Sequence, residues 1–264
     1  MLSLMLFLAV GVVVGLLAGL FGIGGGVIIV PVLILVFTVT GFDAAVLTQL
    51  AIGTSLATII ITSVSSALAH HRLGNVDWRI VRALAPGIAL GVFAGGQLAG
   101  QLSGSLLQLL FGCFGVLVAL QMATRFTPTP GRTVPGAGVM MAVGALFGGL
   151  SGLFGIGGGS LTVPFLHWCN LSMQRAVAAS AACGVPIAVF GALSYLVAGW
   201  GRPELPAWST GFIYWPALLG LALSAAPMTR FGARAAQGLS SARLRQLFAG
   251  FLLLVSIQFI VRNL

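Results

Sequence analysis

The chain has 264 residues, of which 59% are hydrophobic and only 6% charged. A water-soluble domain carries about 25% charged residues, so the composition excludes one, and most of the surface must face lipid. The formal charge of +9 would suit nucleic acid, but every basic residue is an arginine placed thinly along loops. That is how cytoplasmic loops of membrane proteins are marked, and no nucleic-acid partner is expected.

In chain order, apolar runs predict an all-α polytopic membrane protein of ten segments. They fall at about 2–21, 27–40, 44–69, 81–101 and 104–124, then 136–154, 160–171, 174–199, 209–228 and 244–262. Most approach the roughly 20 residues that cross a bilayer. The first segment lacks the basic leader of a signal peptide and has a counterpart in mid-chain, so it is expected to belong to the mature protein. The second and seventh segments are short. About 13 helical residues rise about 20 Å, less than the roughly 30 Å hydrocarbon core. Each is expected to be broken, re-entrant, or paired with its predecessor as a hairpin.

The sequence GLFGIGGG at 19–26 recurs identically at 152–159. Gly11, Gly15 and Gly19 map onto Gly144, Gly148 and Gly152, and Val30-Pro31 onto Val163-Pro164; a looser match aligns 107–114 with 244–251. Two repeats follow, 1–124 and 135–264, joined by a Pro/Gly-rich cytoplasmic linker at 125–134. If each half crosses an odd number of times, Arg72, Arg79, Arg82, Arg125, Arg132, Arg175, Arg230, Arg234, Arg243 and Arg245 share one side, with only Arg202 and Arg262 opposite. An even number scatters them. Odd parity fits the positive-inside rule, places both termini outside the cytoplasm, and makes the halves inverted-topology repeats.

Gly11, Gly15 and Gly19 form one ridge at four-residue spacing, as do their partners, and such ridges let helix backbones approach closely in lipid. The run FGIGGG is different. Consecutive glycines are poor helix formers, and Pro31 or Pro164 soon removes another ladder hydrogen bond. Irregular backbone at membrane depth survives only against protein or a wet cavity. A broken helix end there presents N–H groups and a positive dipole, an anion cradle needing no buried cation. The bland reading, a tight turn for packing, is weakened because the same break occurs in both halves. The run lacks the strand context and the Lys-Ser/Thr ending of soluble phosphate loops.

Candidate anion-binding residues are therefore Gly22, Gly24, Gly25 and Gly26 in the first half, and Gly155, Gly157, Gly158, Gly159 and Ser160 in the second. The third segment adds a hydroxyl stripe, Thr54, Thr58 and Thr62, with Ser55 nearby; Thr54 and Ser55 are the expected partners of the anion. Ser180, Ser194 and Tyr195 stand in its counterpart. The ordinary alternative is that these hydroxyls bond back to their own helices. Asp43, which could equally cap the third segment, and His167 are the two candidates for proton coupling. Cys113, Cys169 and Cys183 have no zinc spacing and an odd count, so neither metal nor disulfide framework is expected. No cofactor is expected either. Ser160 and His167 share a helix face but stand two turns, about 10 Å, apart, too far for a nucleophile and its base. The chain is not expected to be an enzyme.

The duplicated GLFGIGGG…VP pattern, with AIGTSL at 51–56 and GNVDW at 74–78, resembles the TauE/SafE family of membrane transporters along nearly the whole chain. The resemblance implies a multi-pass protein of the bacterial inner membrane that exports a small sulfur-containing anion, such as sulfite or an organosulfonate. The other readings are a passive anion channel and an uptake permease. The second half departs from the first at Gly184-Val-Pro186, where Gly53-Thr-Ser55 stood, so the hydroxyl pair is not duplicated.

Overall fold

The computed structural model describes residues 2–21, 26–123, 131, 133–237 and 241–263. Among the described residues there are ten helices: α1 (Leu2–Phe21), α2 (Gly26–Val39), α3 (Leu47–Arg72), α4 (Trp78–Gln101), α5 (Gly104–Ala123), α6 (Ala137–Phe154), α7 (Gly159–Trp168), α8 (Met173–Ala198), α9 (Trp215–Gln237) and α10 (Ser241–Asn263). Helix satisfies every interior backbone group within one segment, which lipid demands. Among the described residues α3, α4, α5, α6, α8 and α10 are long and apolar enough to cross a membrane. Their outer faces carry bare side chains such as Leu90, Leu117, Leu146 and Leu254, an apolar surface that water would not tolerate at this extent. Exposed Trp78, Trp200 and Trp215 stand at helix ends and Trp208 in the connection between α8 and α9, where indole rings anchor at the lipid interface. The chain is a multi-pass integral membrane protein.

The structure corrects three details of the sequence reading. The fold is not wholly α: a two-stranded hairpin, β1 (Ser209–Thr210) and β2 (Ile213–Tyr214), precedes α9. The ninth segment accordingly begins at Trp215 rather than 209. His70 and His71 lie in the last turn of α3 with Arg72, whose cation suits the negative helix end. The linker expected at 125–134 lies mostly outside the described residues. Pro31 and Pro164 do not break α2 or α7, which continue through them.

The main interfaces pair α1 with α9, α4 with α6, α3 with α8 and α5 with α10. Two seams are made of glycine. A Cβ on Gly144 would stand 2.5 Å from the Leu84 carbonyl oxygen, and one on Gly152 would stand 2.5 Å from that of Val92. Gly11 and Gly15 lie likewise against Leu221 and Ala225 of α9. Successive contacts advance together in both seams, so α4 runs parallel to α6, and α1 to α9. The central pair runs the other way: Gly53 meets Tyr195, Leu56 meets Gly191, and Ser63 meets Gly184. α5 and α10 are also antiparallel, with Gln108 bonded to Asn263 at one end and Gly115 against Leu252 further along. α8 runs parallel to α4, since Gly96 meets Ser194 and Gly100 meets Ala198. Both α6 and α8 therefore follow α4 in direction, and the chain between them turns back through α7.

Candidate functional site

The interior of the bundle is built around α3 and α8, whose best apolar windows are 67% and 61% buried against 44% or less for the other four candidate spans. Three strong ties hold this centre. The Ser55 hydroxyl donates to the Gly155 carbonyl at 3.0 Å, the Tyr195 hydroxyl donates to that of Gly152 at 2.9 Å, and Thr54 Oγ1 accepts from the Tyr214 backbone N–H at 3.0 Å. The hairpin thus reaches inward: Phe212 at its tip is fully buried, and its N–H bonds the Tyr195 carbonyl.

The second glycine run breaks the chain as its composition demands. α6 stops at Phe154, and Gly155 caps it at φ 66°, ψ 30°, left-handed backbone that glycine adopts without cost. Its N–H returns to the Ser151 carbonyl at 2.9 Å. Gly158 is the N-cap of α7 and offers no side-chain cap. The new helix starts beside Ser180 and Ile187, in the middle stretch of α8. The first-turn N–H groups of a helix have no intrahelical acceptor, so α7 opens its positive end inside the bundle rather than at its surface.

The two runs meet, at least where the first is described. Gly26 opens α2, and a Cβ there would lie 2.7 Å from the Gly155 oxygen and 2.9 Å from the Ile156 Cα. Gly22, Gly24 and Gly25 lie outside the described residues. Gly157 and Gly159 are half-buried and Gly158 is buried. Among the described residues, a Cβ on Gly159 would meet no atom within 4 Å, so open space adjoins the start of α7 there. Ser160, in the first turn, carries a hydroxyl that is buried and lacks a hydrogen-bond partner.

The expected hydroxyl stripe is only partly available. Thr58 and Thr62 bond back to Thr54 and Ile59 carbonyls, the usual habit of Thr in membrane helices. Thr54 and Ser55 are committed to Tyr214 and Gly155, so the structure uses them to fix the centre. Ser194 donates to the Phe93 carbonyl at 2.7 Å. Ser180 and Thr162, by contrast, are 3% and 0% exposed with hydroxyls that have no partner. Thr162 was not singled out in the sequence. Its position one helical turn after Gly158 is the signal that could have found it, since residues four apart stack on one face.

The two candidates for proton coupling sit apart from this centre. Asp43 is exposed in the turn before α3, where its carboxylate accepts from the Ala45 N–H at 2.8 Å. It caps a turn rather than the helix itself. His167 is half-buried at the far end of α7, its Nδ1 3.1 Å from the Leu171 carbonyl oxygen. Beside that end a cavity of about 550 Å³ opens, with Asp77, Thr133, Asn170, Ser172 and Arg175 among its lining residues. Among the described residues no group of three His, Cys, Asp or Glu side chains could hold a metal ion.

The model of the sulfite exporter TauE/SafE family matches residues 7–259. A probable membrane transporter protein of Haemophilus influenzae is 38% identical, covering 98% of each chain. One of Methanocaldococcus jannaschii is 30% identical over 96% of this chain and 93% of its own. A probable sulfite/organosulfonate exporter of Cupriavidus necator is 33% identical over 48% of this chain and 54% of its own. No solved structure gives a significant match.

Proposed function

Because the chain belongs to the TauE/SafE family of membrane transporters, we propose that it exports a small sulfur-containing anion, sulfite or an organosulfonate, by alternating access around a site at mid-membrane depth between its two halves. The observation that carries this reading is the start of α7: a helix N-terminus opening inside the bundle beside orphaned hydroxyls. Such an end attracts an oxyanion through N–H groups and dipole. Without a fixed guanidinium, it also releases the anion again. The Gly26–Gly155 approach supports a site where the two glycine runs meet. The probable exporter from Cupriavidus necator supports the sulfur chemistry.

The proposed halves are inverted repeats with both termini outside the cytoplasm, in the inner membrane where the cell is bacterial. The antiparallel runs of α3 against α8 and of α5 against α10 support the inversion. Arg72, Arg79, Arg82 and Arg175 stand at one end of the bundle, by the junction of α3 and α4 and the start of α8, while Arg202 and Arg262 stand at the other. The first end is then cytoplasmic, and the cavity beside Arg175 is the mouth through which anions enter, enriched there by the arginines.

Proteoliposomes test the function directly. Sulfite and sulfoacetate should show saturable flux and counterflow, with chloride much slower. Equal, non-saturating rates for all three would replace the carrier with a passive channel. Reporter fusions after Arg132 and after Arg245 should both read cytoplasmic, and a periplasmic signal from either would overturn the topology.

A further inference from the structure

The two glycine runs are identical in sequence, yet the helices they open are not equivalent. In the first half the start of α2 is sealed. A Cβ on Gly26 would press on Gly155, Ile156 and the Ile59 side chain, all within 2.9 Å. In the second half a Cβ on Gly159 would meet nothing within 4 Å among the described residues. The lining differs in the same sense. Where α2 carries Val27 and Ile29, buried to 4% and 3% exposure, α7 carries Ser160 and Thr162 at the repeat-equivalent positions.

Hydroxyls beside the α7 start are unpaired. Thr162 Oγ1 lies 3.2 Å, and the Ser180 carbonyl 3.7 Å, from the point where a Gly158 Cβ would stand. Ser160, Thr162 and Ser180 all have buried hydroxyl oxygens without a partner. A buried hydroxyl left unpaired is costly, and the unpaired hydroxyls of Thr162 and Ser180, both residues beside the Gly158 cap, mark a place where a ligand supplies the missing bonds.

We propose that the transported anion is held at the N-terminus of α7, with the hydroxyls of Ser160, Thr162 and Ser180 as donors, and that the site selects a singly charged oxyanion head. This rests on the anion-transport reading above. The charge follows from the donors. Hydroxyls are neutral, and a helix end supplies about half an elementary charge. The described arginines lie in loops or within two turns of helix ends. A head carrying two charges would carry a far larger desolvation cost than a singly charged one. The first-half counterpart, sealed and apolar, is then a structural plug.

The test uses the full chain in proteoliposomes with labelled sulfite, competed by methanesulfonate, a monoanion, and by sulfate, a dianion. Thr162→Val, which keeps the shape and removes the hydroxyl, should raise the half-saturation concentration about tenfold, the scale of one hydrogen bond to a charged group. Thr162→Ser should restore it. Ser180→Ala should act as Thr162→Val does, while Val27→Ala in the first half should leave the half-saturation concentration unchanged. Gly159→Val, which fills the space at the first residue of α7, should also weaken binding in a protein that still folds. Methanesulfonate should compete and sulfate should not. A folded Thr162→Val, Ser180→Ala double variant with wild-type half-saturation overturns the site while leaving the transporter reading intact. Equal competition by sulfate overturns the charge assignment. Absence of any saturable sulfite flux in the wild type overturns the reading itself, and this site with it.

Discussion

The start of α2 and the start of α7 are each preceded by the same seven residues and come to opposite ends. At α2 the chain is packed shut by Gly155 and Ile156 from the other half. At α7 it faces open space and unpaired hydroxyls. The duplicated motif therefore ends at a helix start in both places, while the residues just after it decide what each start does. Val27 and Ile29 turn one into core; Ser160 and Thr162 keep the other polar. Pairing the two runs also makes one support the other: the Ser55 hydroxyl that satisfies the Gly155 carbonyl comes from the first half, with no hydroxyl at its counterpart Pro186.

The comparison can be broken in graded steps. The largest effect should come from the seam that carries α6. Gly152→Leu drives a side chain into the α4 backbone at Val92 and Gly96. It should cost more than about 3 kcal/mol, read as loss of monodisperse protein in detergent. Next is Gly26→Ala. Its methyl meets backbone of the opposite half, so a destabilisation of about 1–3 kcal/mol is expected from overpacking, measured as a lower unfolding midpoint. A wild-type midpoint would show that the α2 end is not sealed. Ser55→Ala should cost about 1–3 kcal/mol by leaving the Gly155 carbonyl unpaired, unless a water replaces it. Gly159→Ala is the contrasting partner of Gly26→Ala. It should leave the midpoint within about 0.5 kcal/mol or raise it, since alanine restricts the unfolded chain, yet it should slow sulfite flux. The smallest change is Asp43→Asn, which keeps the turn and should alter neither stability nor the pH dependence of transport. A flattened pH profile would return Asp43 to a coupling role.

Much of this architecture was legible in the residues. Long apolar runs gave all ten helices, because in lipid no other local structure satisfies the backbone. The glycine ridges at Gly144 and Gly148 gave a close helix contact, although not its partner, since four-residue spacing names a face and not what lies across it. The hairpin at 209–214 was absorbed into an apolar segment because Phe212, Ile213 and Tyr214 are as apolar as any helix, and only Gly211, at φ 54°, marks the turn. Thr54 and Ser55 were found as central hydroxyls, but their partners lie 160 and 100 residues away, and such pairings do not show in local pattern. The asymmetry between the two breaks was hidden for the same reason. Identical glycines read identically until the space around each is known.

The glycine seams have a mechanical consequence. Each is a row of notches cut for the opposing backbone at four-residue spacing, so one helix can slip past the other only by jumping a whole notch, about 6 Å along the axis. Such seams behave as toothed joints that lock rather than slide. Both joints cross the repeat boundary: α4 of the first half is locked to α6 of the second, and α1 to α9. The stiff pieces of this molecule are therefore chimaeras of the two repeats. Any rocking motion must have its hinges between those composite blocks, along the interfaces of α3 and α8, and not along the line between the two halves of the sequence.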